Sequence, residues 1–347
     1  MKIAFFTYPS AFQNPGGGEV QLLKTKEALE KEGLRIDFFD PWKSRIEDYD
    51  ILHVFSSVKD CLSLMQVAKS RNVKVVTSSV LWSDWRRALF TDGGLRTKGD
   101  LFLRHFLKVA CPAFPSSRRR VLMESDFIFP NSEAEKKQLQ RLFAIPAQKI
   151  RVVPNGVDPE FASADPSLFR ERYGREPFLL TVGRVEPRKN QLNLLKAVKK
   201  LGMRFYLIGS PVSGYENYFE ACRKEGEGFA VFLPTLKHED GLLRSAYAAC
   251  EAFVLQAWFE TPGLAALEAG LAGARVVATQ GGSTREYFKD FVEYVDPSSP
   301  ADICEKIKKA LASPKNTVLK EYVGRNFTWD KVAKATLSHY RELLPGK

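Results

Sequence analysis

The stretch that decides the fold is Gln256–Glu286, QAWFETPGLAALEAGLAGARVVATQGGSTRE. With the apolar Ala252–Leu255 before it, it reads as strand, loop, helix, strand and loop. Thr261-Pro262 predicts a helix start, with a hydroxyl at the cap and proline at the first position. Leu264–Leu271 is rich in Ala and Leu, and Gly273 suits the residue that ends such a helix. Arg275–Ala278 is then a short strand. The helix is almost wholly apolar, yet it carries Glu268 about two turns along, roughly 9 Å from its start at ~1.5 Å per residue. An unpaired buried charge costs several kcal/mol, so Glu268 needs a partner. Two kinds suit it: a hydroxyl-rich ligand, or an arginine in a purely structural pair.

Glu260 precedes the predicted helix start, so two carboxylates bracket it. A helix N-terminus attracts phosphate through its free N–H groups and its dipole. Glu260 on one side and Glu268 on the other can each accept from hydroxyls. Sugar, diphosphate and ribose in a row have that shape. Glu260 and Glu268, with Thr261, Pro262, Gly263 and Leu264 among the residues between them, resemble the E-x7-E motif of retaining glycosyltransferases of family GT4, which have the GT-B fold. The similarity extends through the small-residue helix, the Gly273 turn, the following strand and Gly281-Gly282…Glu286.

Working outward, Gly183-Arg184-Val-Glu-Pro-Arg188-Lys189-Asn190 ends one apolar strand and leads into a helix. Three cations at the carboxyl end of a strand suit a diphosphate, which Arg clamps bidentately and Lys meets as a point charge. Solvated surface charge is the plain alternative. The order Gly-Arg…Arg-Lys resembles the family's phosphate-binding cations, which implies donor-phosphate roles for Arg184 and Lys189, with Arg188 beside them. By the same resemblance Glu260 meets the transferred sugar and Glu268 the ribose. Pro154-Asn155-Gly156-Val157-Asp158 is similar to the family's domain junction, and Glu286 to the glutamate of its GGxxE loop, with one extra residue here.

In the first half, Gly16-Gly17-Gly18 follows the first strand and opens a helix. Three glycines let backbone approach a ligand closely and offer N–H groups to an anion. The dinucleotide fingerprint fails at Gln21, and no Lys-Ser or Lys-Thr completes a Walker loop. A flexible turn is the alternative; the resemblance implies a loop against the donor phosphate. The departure lies after the fourth strand. Many relatives carry a histidine there, whereas this chain reads Thr77-Ser78-Ser79-Val80. Ser79 and, after the third strand, His53 are the acceptor-side candidates.

Alternating strands and helices argue for parallel α/β sheets. Lys2–Thr7, Arg35–Phe39, Ile51–Phe55, Val73–Thr77, Asp126–Phe129 and Ile150–Val153 form a first series. Phe178–Val182, Arg204–Ile208, Ala230–Leu233, Ala252–Leu255, Arg275–Ala278 and Val292–Val295 form a second. The polar segment Asp158–Pro177 reads as the boundary. The expected division is an N-terminal Rossmann-like acceptor-side domain at 1–160 and a nucleotide-sugar donor domain at 161–328. A C-terminal helix over 329–347 packs back on the first. With two sheets in series, the ligand is expected between them, at the carboxyl ends of the strands.

The 347 residues are 44% hydrophobic and 27% charged, ordinary for a globular protein. No apolar run approaches 18 residues, and the N-terminus lacks a long apolar signal region, so a cytoplasmic protein is expected. Five scattered cysteines, with no CxxC and no His/Cys cluster, argue against zinc or a disulfide framework. No metal and no cofactor is expected. A net charge of +11 points to an anionic partner. No nucleic-acid signature accompanies it.

Part of that charge lies in residues 84–124. Arg86, Arg87, Arg96, Lys98, Arg104, Lys108, Arg118, Arg119 and Arg120 there face Asp84, Asp92, Asp100 and Glu124. Leu101, Phe102, Phe106 and Val109 recur at helical spacing, with Arg104, His105 and Lys108 on the other side. Such a segment predicts an interfacial surface for anionic lipid at the inner face of the cytoplasmic membrane; a helix packed in the first domain with a solvated basic face is the alternative. The resulting expectation is retaining transfer of a sugar from a nucleoside diphosphate sugar to a hydroxyl of a glycan or lipid-linked acceptor, in envelope polysaccharide or glycolipid synthesis. A non-catalytic nucleotide-sugar-binding relative and a GT-B nucleotide-sugar epimerase are the other readings.

Overall fold

A computed structural model of the chain describes residues 1–13, 15–85, 94–315 and 317–346. The chain divides into two compact units. One takes the N-terminal part up to Gly156 together with the chain from Trp329 onward; the other takes Val157–Thr328. Each is a Rossmann-like α/β unit around its own parallel sheet.

In the first unit, β1 (Lys2–Phe6), β2 (Arg35–Phe38), β3 (Ile51–Phe55), β4 (Lys74–Ser78) and β5 (Phe127–Phe129) are all parallel, in the order β2-β1-β3-β4-β5. Every residue of β3 is buried, as expected of a central strand covered on both faces. The helix Trp329–Leu343 packs on the helix Gly17–Lys31 of this unit. In the second unit, β6 (Phe178–Val182), β7 (Arg204–Ile208), β8 (Ala230–Leu233), β9 (Ala252–Leu255), β10 (Arg275–Thr279) and β11 (Glu293–Val295) run in the order β11-β10-β9-β6-β7-β8, again all parallel.

Side chains of the second sheet alternate between two cores, as the period-2 geometry of a strand requires. Leu180, Phe253, Leu255, Val276 and Ala278 face the helices Gly241–Ala249 and Leu264–Leu271. Leu179, Ala252, Val254 and Val277 face Gln191–Leu201 and Pro300–Ala312. Strand order reverses between β6 and β9. Such a reversal, outside the carboxyl ends of the strands, is the usual ligand position in open α/β sheets.

Several expectations are corrected. Ile150–Val153 is no strand: Ile150 makes one isolated bridge to Ile128, although Arg151 N and Val153 N still donate to Ile128 O and Pro130 O. The segment after Asp158 is not a plain linker, because Phe161 and Phe169 plug the second core from the turn Pro159–Ser163 and the helix Ser167–Tyr173. The units accordingly divide a few residues before 160, at Gly156/Val157, where Val157 pairs with Thr328. The helices Glu216–Glu225 and Thr317–Asn326 carry no strong sequence signal and were not expected.

The helix Leu95–Ala110 turns a different face outward from the one expected. Leu101, His105, Lys108 and Val109 lie half-buried against the unit, with Val109 packed on the cluster around Leu139 and Phe143. Phe102, Leu103, Phe106 and Leu107 are each more than half exposed. Arg86, Arg87 and Asp92, also part of the expected basic segment, lie outside the described residues. The Arg118–Arg120 run is not a free basic patch either, since Arg119 Nε donates to Phe143 O at 2.9 Å.

Candidate functional site

At the carboxyl end of β6 the chain passes through Gly183 into the turn Pro187–Lys189 and the helix Gln191–Leu201. At the end of β9 it enters Gln256–Glu260. Backbone and amide groups lace these two loops together. Gln256 Nε2 donates to Lys189 O at 2.7 Å, Asn190 Nδ2 to Gln256 O at 3.2 Å, and Trp258 N to Arg188 O at 3.0 Å. Gln256 and Asn190 were not singled out from sequence, because amides holding backbone are invisible until the strand order is known.

The lacing gathers Arg184, Arg188 and Lys189 around two carboxylates. Lys189 Nζ donates to Glu260 Oε1, and Arg188 Nη1 lies 3.6 Å from the same oxygen. Arg188 Nη2 donates to Glu186 Oε1 at 2.9 Å, and Arg184 Nη2 lies 3.7 Å from it. Glu260 is 7% exposed. Burial pushes its carboxyl up, but Lys189, Arg188 and Arg184 outweigh that and hold it below the ordinary carboxylate value. Burial likewise draws the Lys189 ammonium below its ordinary value, against the pull of Glu260. The Glu260 carboxyl is thus ionised at neutral pH. Among the described residues, no group of three or more His, Cys, Asp or Glu is placed to hold a metal ion.

The Glu260 backbone is fixed from the next loop. Glu260 N donates to Gly281 O at 3.1 Å, and Ser283 N donates to Glu260 O at 2.9 Å. Gly282 has φ 97°, and a Cβ there would stand 1.9 Å from Glu260 O, so only glycine lets these loops meet. Glu286 follows on the short helix Thr284–Phe288.

Thr261-Pro262 does not cap the helix. The peptide between them is cis, and the helix opens at Leu264 with Gly263 at its cap, in a left-handed conformation at φ 91°. Glu268 therefore lies little more than one turn in. Its partners include two side chains of the same unit, so it is not left to a ligand alone. Tyr247 hydroxyl donates to Oε2 at 2.7 Å, and His238 Nδ1 stands 3.3 Å from Oε1. Burial, with Glu268 beside it, pushes the Tyr247 hydroxyl well above its ordinary value, so it stays a donor.

In the first unit, Gly16 caps the helix Gly17–Lys31, its N–H donating to Glu19 Oε2 at 2.7 Å in a capping box. A Cβ added at Gly18 would meet nothing within 4 Å. Packing therefore does not require that glycine, which costs about 1 kcal/mol in a helix. The acceptor-side candidates are turned inward. His53 is buried, with Nδ1 2.5 Å from Tyr340 hydroxyl and Nε2 2.9 Å from Ser78 Oγ. Burial pushes it down to about 3, so it is a neutral strut between sheet and C-terminal helix. Ser79 hydroxyl donates to Glu135 Oε1 at 2.6 Å, and Leu81 N reaches the same oxygen at 2.6 Å. Clamped between them, Val80 is held at φ 41° with its side chain exposed. A β-branched residue in that region is an outlier of the kind that gathers at functional loops.

The chain is similar to known glycosyltransferases in sequence and in fold. Residues 29–161 match the family model described as Glycosyltransferase Family 4, and residues 169–325 that described as Glycosyl transferases group 1. The chain is similar to the D-inositol 3-phosphate glycosyltransferase of Mycobacterium bovis, 28% identical over 244 residues, which is 65% of this chain and 50% of that protein. The chain thus spans about half the length of the curated relatives it matches. Its fold is similar to sucrose-phosphate synthase (tll1590) from Thermosynechococcus elongatus, at TM-score 0.77 and 17% identity over 100% of both chains. It is similar also to Anabaena Alr3699/HepE in complex with UDP and glucose, at TM-score 0.75 and 16% identity over 99% of this chain and 100% of that one. A glycosyltransferase family model thus matches each of the two parallel-sheet units, and the fold of the chain is that of the solved structures it resembles.

Proposed function

We propose that this protein transfers a sugar from a nucleoside diphosphate sugar to an acceptor hydroxyl, with retention at the anomeric carbon and without a metal ion. The observation that carries the reading is the convergence of Arg184, Arg188 and Lys189 on the carboxylates of Glu186 and Glu260, where strand order reverses between β6 and β9. Charge grows on the departing diphosphate as the glycosidic bond breaks, and fixed cations stabilise that charge more than the ground state. Arg184 and Lys189 take this role, with Arg188 orienting the loop. Glu260 accepts from hydroxyls of the transferred sugar and Glu268 from the ribose. The UDP-glucose complex of the structurally similar Anabaena protein supports a nucleotide-sugar donor. Thermal-shift measurements against UDP, GDP, ADP, CMP and their sugars test the reading, followed by donor hydrolysis with the best binder. A chain that no nucleotide stabilises, and that hydrolyses no donor, refutes it.

The acceptor in this reading is lipid-linked or an envelope glycan, met at an anionic membrane surface on the cytoplasmic side. Support comes from the helix Leu95–Ala110, which carries no buried residue. Phe102, Leu103, Phe106 and Leu107 face outward beside Arg96 and Arg104. An apolar stripe rimmed by cations suits the boundary between headgroups and acyl chains. No described helix is long and apolar enough to cross a membrane.

A further inference from the structure

Within the second unit, four separated segments bring Asp158, His238, Tyr247 and Glu268 into one run of contacts. His238 lies in the loop between β8 and the helix Gly241–Ala249, and Tyr247 on that helix. His238 Nδ1 is 3.3 Å from Glu268 Oε1, and its Nε2 is 2.9 Å from Asp158 Oδ2. The Phe161 ring stands 5.5 Å from the imidazole. Side-chain exposure is 15% for His238 and 8% for Glu268, so water screens these contacts little.

A ring with a carboxylate at each nitrogen is oriented from both sides. As an imidazolium the ring offers an N–H to each carboxylate, so Asp158 fixes Nε2 and Nδ1–H faces Glu268, much as outer carboxylates aim histidines at metals. Glu268 then has one oxygen set by Tyr247 and the other by His238. A carboxylate oxygen accepts more than one hydrogen bond, so a ribose hydroxyl can join these donors. A long, flexible carboxylate is thereby held in one geometry before the ligand arrives, and ligand binding loses less rotamer freedom.

We infer that His238, oriented by Asp158, is a positioning residue for Glu268 and sets this site's preference for ribonucleotides over nucleotides lacking ribose hydroxyls. The inference rests on the proposed ribose role of Glu268. Asp158 also lies at the point where the chain enters the second unit, so the ribose carboxylate is tied to that entry segment.

The test is calorimetric and uses the full chain. Dissociation constants are measured for UDP, GDP and ADP, and the tightest is compared with its 2′,3′-dideoxy counterpart. Wild type should favour the ribose form by ~10-fold or more, the size of a charge-assisted hydrogen bond. His238→Ala should lower that ratio toward one and leave the dideoxy affinity unchanged. Asp158→Asn should lower it less, and His238→Gln, which keeps an N–H for Glu268, should recover part of it. If His238→Ala retains the full wild-type ratio, or weakens both nucleotides equally, the positioning role is overturned. A wild-type protein that does not distinguish the two nucleotides overturns instead the ribose role of Glu268, and one that binds none overturns the donor site itself. Should His238→Ala not fold, the Gln and Asp158→Asn ratios decide, and wild-type values in both overturn the inference.

Discussion

Replacing Glu260 by Gln separates sugar binding from phosphate binding, because the two effects have opposite signs. In the native site three positive charges, Arg184, Arg188 and Lys189, face two negative ones, Glu186 and Glu260, leaving one net positive charge. Gln keeps the shape and leaves two. At ~6 Å and an effective dielectric of ~20, one unit charge acting on a phosphate is worth about 3 kcal/mol. Solvent at the partly exposed Arg184 and Arg188 reduces the gain to roughly 1 kcal/mol. A free nucleoside diphosphate should therefore bind the variant as tightly as wild type, or up to about 5-fold tighter. Turnover moves the other way. A charged hydrogen bond to the sugar is worth about 1.5–3 kcal/mol, so kcat/KM should fall by about 10- to 150-fold. Calorimetry with the nucleoside diphosphate, beside steady-state donor hydrolysis, reads both quantities. A variant whose nucleotide affinity drops by the same factor as its turnover refutes the reasoning, because Glu260 would then be a scaffold for Lys189 and not a sugar ligand.

Other outcomes follow from the same geometry. Arg184→Ala and Lys189→Ala should each lower the transfer rate steeply, and their effects should couple in the double variant because they act on one diphosphate. Activity should survive EDTA; loss in chelator that Mg²⁺ or Mn²⁺ restores would contradict the cation reading. Burial raises the Glu135 carboxyl from the ordinary 4.5 to about 7, against the lowering pull of Ser79, Asn131 and Leu81. The folded state therefore binds the extra proton, and stability falls as pH rises from about 4.5 to about 7. Between pH 5 and pH 8 the wild type should lose roughly 2–3 kcal/mol relative to Glu135→Gln in urea unfolding, and a pH-independent difference would remove Glu135 as the cause. Sedimentation with anionic vesicles should pull the protein down at low salt, and Phe102→Ser with Phe106→Ser should abolish it while nucleotide binding persists; wild-type pelleting by that variant would refute the membrane face.

The alternation of apolar strands and amphipathic helices was enough to predict two parallel α/β sheets, because each strand's burial on both faces is written in its own residues. The polar groups at strand ends were legible for a similar reason. Arg184–Lys189 and Glu260 follow apolar strands directly, and a parallel sheet puts all such ends on one edge. The last helix was expected over 329–347 and spans Trp329–Leu343. Two other local readings failed where a different feature took over. Thr261-Pro262 has the chemistry of a helix start, but Gly263 supplies the left-handed turn that begins the helix. Leu95–Ala110 has helical periodicity, but periodicity cannot say which face meets the protein, and the one turned outward carries Phe102 and Phe106.

Sequence by itself determined the fold class and the charged loops that follow β6 and β9, since both follow from patterns within a dozen or so residues. Tertiary structure alone decided the partners. Glu268 is met by Tyr247 and His238, Ser79 by Glu135 from 56 positions away, and His53 by Tyr340 from 287. The reason is that a buried polar group must be answered by whatever the strand order brings beside it, and strand order is a property of the whole packed unit, set by which helices cover which face and written in no single segment.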